Sequence, residues 1–162
     1  MPERMGPEPE VAKARVVALR LLARRARARA DLAERLRRKG FPSRAIQQAL
    51  DGLAREGYLD DLEFAHDRID ELLRKSKQGS RGLIELLVKD GLDPELAERV
   101  VAERLADVDQ RAWAREVAAQ RLRTMPELEA AAARRRLYSY LRRRGFDNQD
   151  IVMAIEEVLP GE

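Results

Sequence analysis

A short pattern that ends in a glycine and a large apolar residue occurs three times in this chain. It reads Leu36-Arg-Arg-Lys-Gly40-Phe41, Leu87-Val-Lys-Asp-Gly91-Leu92 and Leu141-Arg-Arg-Arg-Gly145-Phe146, at intervals of 51 and 54 residues. The similarity extends to leucines at positions 32, 83 and 137 and to apolar residues at positions 46, 97 and 151. A recurrence at nearly constant spacing of this length indicates a repeat architecture.

Each repeat is predicted to contain three helices. Apolar residues recur at spacings of three and four, as on one face of a helix, and no alternating strand pattern occurs. The repeats are expected at residues 11–59, 60–107 and 108–162, after a flexible, proline-rich tail at residues 1–10. The predicted fold is therefore all-α, with three tandem three-helix repeats that form an elongated, curved, solenoid-like rod.

Several residues are expected to set the ends of these helices. The glycine of each repeated pattern is predicted to end the second helix of its repeat, because glycine adopts the left-handed conformation without steric cost. Ser43 and Asp60 are predicted to cap helix N-termini. The segment from Gly79 to Gly82 is predicted to break the chain between two helices.

The composition argues against several classes of protein. Charged residues make up 38% of the chain and aromatic residues 4%, which is typical of helices with solvated outer faces. With no cysteine and only His66 as histidine, the chain has few ligands for a metal, and no activated nucleophile is visible. We therefore predict a protein that is not an enzyme and holds no metal or cofactor. No apolar run approaches the roughly 20 residues that span a bilayer, and no signal peptide is visible, so a cytoplasmic protein without a membrane partner is expected.

Charge is distributed unevenly along the chain. Residues 20–39 hold nine basic and two acidic residues, and residues 134–144 hold six arginines and no acid. Residues 45–109 hold nine basic and sixteen acidic residues. Such an uneven charge distribution bears on which partners the protein binds rather than on its fold. Arginine dominates the basic residues; bidentate contact with phosphates or carboxylates and a GC-rich coding bias explain this equally well.

Two basic clusters are the candidate binding sites for a partner or for nucleic acid. A solvated helix surface with cations at helix C-termini would account for about half of them. The functional interpretation is contact with phosphates or with an acidic protein surface. The first basic cluster comprises Arg24, Arg25, Arg27, Arg29, Arg37, Arg38 and Lys39, and the second comprises Arg134, Arg135, Arg136, Arg142, Arg143 and Arg144.

The chain resembles the RecX family of recombination regulators over about residues 14 to 159. The most specific part of the resemblance is Gly57-Tyr58-Leu59-Asp60-Asp61-x-x-Phe64-Ala65. It is supported by Ala18-Leu19-Arg-Leu-Leu22 and by the three glycine patterns with their upstream leucines. The chain departs from the family at the start of the second helix, where Ala30, Asp31 and Ala33 replace the usual serine and glutamate, and in an alanine-rich last repeat.

The resemblance implies a regulator of recombination, DNA repair and the SOS response. It implies binding to RecA-type recombinase filaments on single-stranded DNA, in the filament groove, with inhibition of ATPase activity, strand exchange and filament growth. Single-stranded DNA would be contacted mainly within the filament, and we expect an extended monomer. The alternative is a helical protein that binds DNA without sequence specificity through its arginine clusters. A third possibility is a helical scaffold for an unrelated acidic partner.

Overall fold

The computed structural model describes residues 8–161, and every regular element in that range is a helix. The all-α prediction is confirmed. Residues 1–7 of the predicted tail lie outside the described range, and the first helix begins at Pro9. The helices are α1 (Pro9–Arg24), α2 (Arg29–Arg38), α3 (Ser43–Arg55), α4 (Asp61–Lys75), α5 (Ser80–Lys89), α6 (Pro94–Arg104), α7 (Gln110–Thr124), α8 (Ala130–Arg143) and α9 (Asn148–Val158).

The chain divides into two compact units that are not contiguous in sequence. The first unit holds residues up to 66 together with 88–93, and the second holds residues 67–87 and those from 94 onward. The core of the first unit forms where α1 and α2 pack on α3, and its fully buried side chains include Leu36 and Leu50. The core of the second forms where α7 and α8 pack on α9, around Leu141 and Phe146.

The glycines of the repeated pattern adopt the predicted left-handed conformation. Their φ angles are +90° at Gly40, +101° at Gly91 and +77° at Gly145. At Gly40 the amide donates to the carbonyl oxygen of Arg37 at 2.9 Å, and the Phe41 amide donates to Leu36 at 3.2 Å. These two bonds close the helix end as a Schellman motif, which satisfies carbonyls that the helix leaves unpaired.

In the first unit, the Gly91 turn packs against the N-terminal end of α2. A Cβ atom placed on Gly91 would lie 3.1 Å from the Asp31 amide nitrogen and 3.5 Å from the Cβ of Ala28. Ala28 occupies the N-cap position of α2, and its carbonyl oxygen accepts from Leu32 at 3.2 Å. The turn of the second repeat therefore contacts the start of the second helix of the first repeat.

In the second unit, the Gly145 turn packs against the N-terminal end of α5 in the same way. The Gly79 amide donates to the carbonyl oxygen of Arg144 at 2.9 Å. A Cβ atom on Gly82 would lie 2.5 Å from the same oxygen. Gly79 and Gly82 stand 51 residues after Ala28 and Asp31. One rule therefore describes both junctions: a glycine turn covers the start of the second helix of the preceding repeat.

A second contact recurs at both junctions. The backbone amide of Arg29, the first residue of α2, donates to Asp61 Oδ1 at 2.8 Å. The amide of Ser80, the first residue of α5, donates to Gln110 Oε1 at 3.0 Å. Asp61 and Gln110 are the first residues of α4 and α7, so each repeat supplies a cap to the preceding one. These side chains satisfy amides that the short helices cannot pair internally.

We expect Asp61→Ala to lower the free energy of unfolding by about 1 kcal/mol, which is typical for loss of a capping side chain. The reason is the unpaired Arg29 amide, since Ala28 offers no side-chain cap. Chemical denaturation monitored by circular dichroism measures the change. Asp67→Ala, on the exposed side of the same helix, is the matched control and should be nearly neutral. Equal effects of the two substitutions would contradict the capping role.

Two sequence predictions about helix ends are wrong. Ser43 does not cap α3: it is the first helical residue, and Pro42 holds the N-cap position without a side-chain cap. Gly82 does not break the chain, because α5 begins at Ser80 and includes it. The absence of a side chain at Gly82 serves close packing against the Arg144 carbonyl rather than a turn. Asp60, in contrast, caps α4 as predicted, accepting from Leu62 at 2.9 Å.

Candidate basic interaction surfaces

Two arginines of the first basic cluster are engaged within the protein. Arg27 has only 8% of its side chain exposed, and its Nη1 donates to Asp31 Oδ2 at 2.8 Å. Arg29 reaches from the start of α2 to α3, where its Nη2 donates to Asp51 Oδ1 at 2.5 Å. These contacts fix the α1–α2 connection and its packing on α3. The Arg27 side chain is thus largely buried, whereas 31% of the Arg29 side chain remains exposed.

Asp31 is the centre of this internal network. Burial would raise the pKa of its carboxyl, but hydrogen bonds from Arg35 and Arg27 outweigh that cost and hold the pKa below its usual value. Arg35 Nε lies 3.0 Å from both carboxylate oxygens. The carboxylate therefore pairs with two guanidinium groups beside the Gly91 turn.

Asp31→Asn should destabilise the protein at pH 7 by about 1 kcal/mol, because charge-assisted hydrogen bonds to Arg27 and Arg35 weaken. The folded pKa of Asp31 is lowered, so its contribution is fully present above the unfolded value of 3.8 and is lost as the pH falls through the folded value. Denaturation curves of both proteins between pH 7 and pH 2 measure the difference. It should shrink below about pH 4, and a constant difference would contradict this account.

The remaining members of the first cluster are exposed. Arg24 and Arg25 lie at the C-terminal end of α1, and Arg37, Arg38 and Lys39 lie at that of α2. Glu34 pairs with Arg37 and, at 2.9 Å, with Arg38. Three cations thus face one carboxylate at the end of α2, and the negative end of the helix dipole adds only a partial charge.

The second basic cluster is also divided between internal and outward contacts. Arg134 donates to the carbonyl oxygen of Leu159. Arg144 donates to Tyr140 Oη at 2.8 Å, and its guanidinium lies 5.0 Å from the centroid of that ring. The exposed members on α8 are Arg135, Arg136, Arg142 and Arg143. Arg142 makes a long contact of 3.3 Å with Tyr138 Oη.

The sequence did not indicate a groove that lies beside this cluster. It has a volume of about 440 Å³ between α8 and α9 and is lined by Arg134, Arg135, Tyr138, Ser139, Val152, Ile155 and Glu156. Val152 is 42% exposed there. The available signal was its position directly after the repeat-equivalent apolar residue Ile151, because neighbouring side chains on a helix point about 100° apart.

No cluster of three or more potential metal ligands occurs among residues 8–161. The same residues contain no helix that is long and apolar enough to cross a membrane. His66 is exposed on α4. The charged helix ends and the groove beside α8 are among the features of the described chain that can contact a partner.

Comparison with known proteins agrees with this architecture. Residues 14–53 match the family model for the first three-helix domain of RecX, and residues 109–155 match the model for its third three-helix domain. The regulatory protein RecX of Pelodictyon phaeoclathratiforme is 32% identical over 145 residues, covering 89% of this chain and 88% of that protein. That of Amycolatopsis mediterranei is 32% identical over 163 residues, covering 98% of this chain and 90% of that protein.

The crystal structure of RecX from Lactobacillus salivarius has the same fold, with a TM-score of 0.74 at 20% sequence identity. It covers 92% of this chain and 96% of that one. The fold thus defines an all-helical protein that contains the three-helix domains of the family models. This chain belongs to the RecX family.

Proposed function

We propose that this protein is a regulator that binds RecA-type recombinase filaments on single-stranded DNA. It inhibits the ATPase activity, strand exchange and growth of those filaments, and so limits recombination and DNA repair. Membership of the RecX family carries the proposal, since the relatives bear the name regulatory protein RecX. The protein would act as a cytoplasmic monomer, with its three repeats at 11–59, 60–107 and 108–162.

The distribution of exposed and internally engaged cations supports a partner with both protein and phosphate surfaces. A filament on DNA offers carboxylates and phosphodiesters side by side, and arginine binds both in bidentate geometry. The proposed contacts are made by the exposed members of the two basic clusters: Arg24, Arg25, Arg37, Arg38, Lys39, Arg135, Arg136, Arg142 and Arg143. The other four, Arg27, Arg29, Arg134 and Arg144, donate hydrogen bonds within the protein.

A recombinase ATPase assay on single-stranded DNA tests the proposal. Titration of this protein should lower the steady-state rate of ATP hydrolysis at substoichiometric or near-stoichiometric ratios to the recombinase. The recombinase and DNA should be preassembled in one series and mixed last in another, which separates action on a finished filament from action on its growth. An unchanged rate in both series would contradict the proposal.

The alternative function, direct and non-specific DNA binding, is favoured by the exposed arginines on α8. It predicts that affinity for naked single-stranded DNA falls steeply with salt, with log K linear in log salt concentration. Competition at one fixed salt concentration distinguishes the two functions. A filament binder prefers recombinase-coated DNA, whereas a simple DNA binder prefers the uncoated strand.

A further inference from the structure

The Gly40 turn is open where its two repeat equivalents are covered. Lys39 and Gly40 are exposed, whereas Gly91 is half-buried and Gly145 is buried. A Cβ atom on Gly40 would meet nothing within 4 Å. The turn nevertheless closes α2 with a Schellman motif, like the Gly145 turn, where the Phe146 amide donates to Leu141 at 3.3 Å. Of the three equivalent turns in the described chain, this one has no helix start packed against it.

The two covered turns define what the open turn fits. Each receives the first turn of a helix, with the small residue Ala28 or Gly79 at the N-cap. The packing is tighter at the Gly145 turn. There the N-cap amide of Gly79 donates to the carbonyl oxygen of Arg144, the residue just before the turn glycine. The equivalent carbonyl at the open turn belongs to Lys39. An occupant would therefore be a helix N-terminus with a small N-cap residue.

The charge around the open turn further restricts which helix N-termini could bind there. Arg37, Arg38 and Lys39 directly precede the glycine of the open turn, and Glu34 pairs with the first two of them. Acidic side chains favour the first turn of a helix because of its dipole. A helix start with one or more Asp or Glu residues therefore complements both the shape and the charge of this turn.

In a second copy of this chain, the helix starts equivalent to those at the two junctions cannot supply this occupant. The starts of α2 and α5 are already covered by the Gly91 and Gly145 turns. The start of α8 is closed: the amide of Ala133, which is equivalent to Gly79, donates within the helix to Glu129 at 3.0 Å. Arg136 also stands where α5 has Gly82, so a side chain occupies the position that the tighter junction leaves empty.

We propose that the Gly40 turn is a docking site for the acidic N-terminal turn of a helix in the recombinase protein. The docked helix would extend the series of junctions in which Gly91 covers α2 and Gly145 covers α5. This inference rests on the proposed function for the identity of the partner. It assigns the end of α2 to protein contact rather than to DNA.

The first test compares Gly40→Asn with Gly57→Asn. Asparagine tolerates positive φ better than other non-glycine residues, and its side chain adds bulk to the docking face. Gly57 has a φ of +81°, the same Schellman bonds to Ala54 and Leu53, and open space around it, but it is not a repeated docking turn. We expect Gly40→Asn to raise the concentration for half-inhibition of the recombinase ATPase by about tenfold, while Gly57→Asn leaves it near wild type.

The second test identifies what the turn touches. The chain has no cysteine, so Lys39→Cys carries one unique attachment point for a short photoreactive cross-linker. Irradiation on recombinase filaments should link position 39 to a recombinase peptide at the start of a helix, identified by mass spectrometry. Tyr58→Cys, exposed beside Gly57, is the matched control and should give no such product.

Each outcome decides the proposal. Equal inhibition by Gly40→Asn and wild type, equal weakening by both asparagine variants, or a cross-link only to DNA or to a second copy of this chain overturns it. If wild type does not inhibit the ATPase, the proposed function fails. The cross-link at position 39 then decides alone whether the turn docks on the recombinase.

Discussion

Gly82→Ala should lower the free energy of unfolding by about 2–3 kcal/mol, although the same change in a helix ordinarily adds stability. The added Cβ would lie 2.5 Å from the Arg144 carbonyl oxygen and 3.0 Å from its carbonyl carbon. Both are backbone atoms, so the contact cannot be relieved by a side-chain rotation. The Gly145 turn must shift, and with it the Gly79 amide loses its acceptor.

Gly52→Ala is the matched control for this prediction. Gly52 lies within α3, and a Cβ there would meet only Arg15 Nη1 at 3.9 Å and Arg55 Nη2 at 4.0 Å. It should stabilise the protein by roughly 0.5–1 kcal/mol, the usual difference between glycine and alanine in a helix. Urea denaturation of both variants measures whether the free energy of unfolding falls for Gly82→Ala and rises for Gly52→Ala. Stabilisation by both would show that the turn and α5 are not packed as described.

The largest functional effect is expected from reversal of the charges at the end of α2. Arg37→Glu, Arg38→Glu and Lys39→Glu together should raise the concentration needed for half-inhibition of the recombinase ATPase by about tenfold or more. The reason is repulsion from the acidic protein surface that the three exposed cations would meet on the filament. Three acids at the negative end of the α2 dipole and beside Glu34 lower the stability of α2, so circular dichroism must first show that the variant is folded.

The control must change net charge equally. Arg55→Glu, Arg74→Glu and Arg99→Glu reverse three exposed arginines outside both basic clusters. If the position of the charges matters, this control variant should inhibit the recombinase ATPase nearly as well as wild type. If only net charge matters, it should inhibit as weakly as the variant at the end of α2. The defect of the first triple variant should also diminish at high salt, since screening weakens exposed charges. Unchanged inhibition by a folded first triple variant would refute the role of this helix end.

The repeated glycine pattern made the helices and their ends predictable. Leucines four residues apart and a glycine after a basic run are local signals, and Gly40, Gly91 and Gly145 have the predicted positive φ. Local propensity and tertiary packing agree at these positions, which is why reasoning from the sequence succeeds there.

Other features depended on residues far apart in the chain. Gly79 and Gly82 suggested a loop, and the reason for both is the backbone of Arg144 and Gly145, more than 60 residues away. The sequence could not show that Arg27 is buried while Arg25 is exposed, because Arg27 is held by an ion pair with Asp31 that only the fold reveals. No local pattern reveals which cations of a basic run are already neutralised by the fold.

Residues 88–93 belong to the first unit, although the residues directly before them belong to the second. This arrangement limits which fragments of the protein can fold. A fragment cut after the first repeat loses Asp61, which caps α2, together with the Gly91 turn that shields that end. The smallest continuous fragment that contains the entire first unit ends at Asp93. That fragment also contains residues 67–87 of the second unit without the rest of it. Truncation series will therefore report partial unfolding as loss of binding, and point substitutions are the sounder route to mapping contacts.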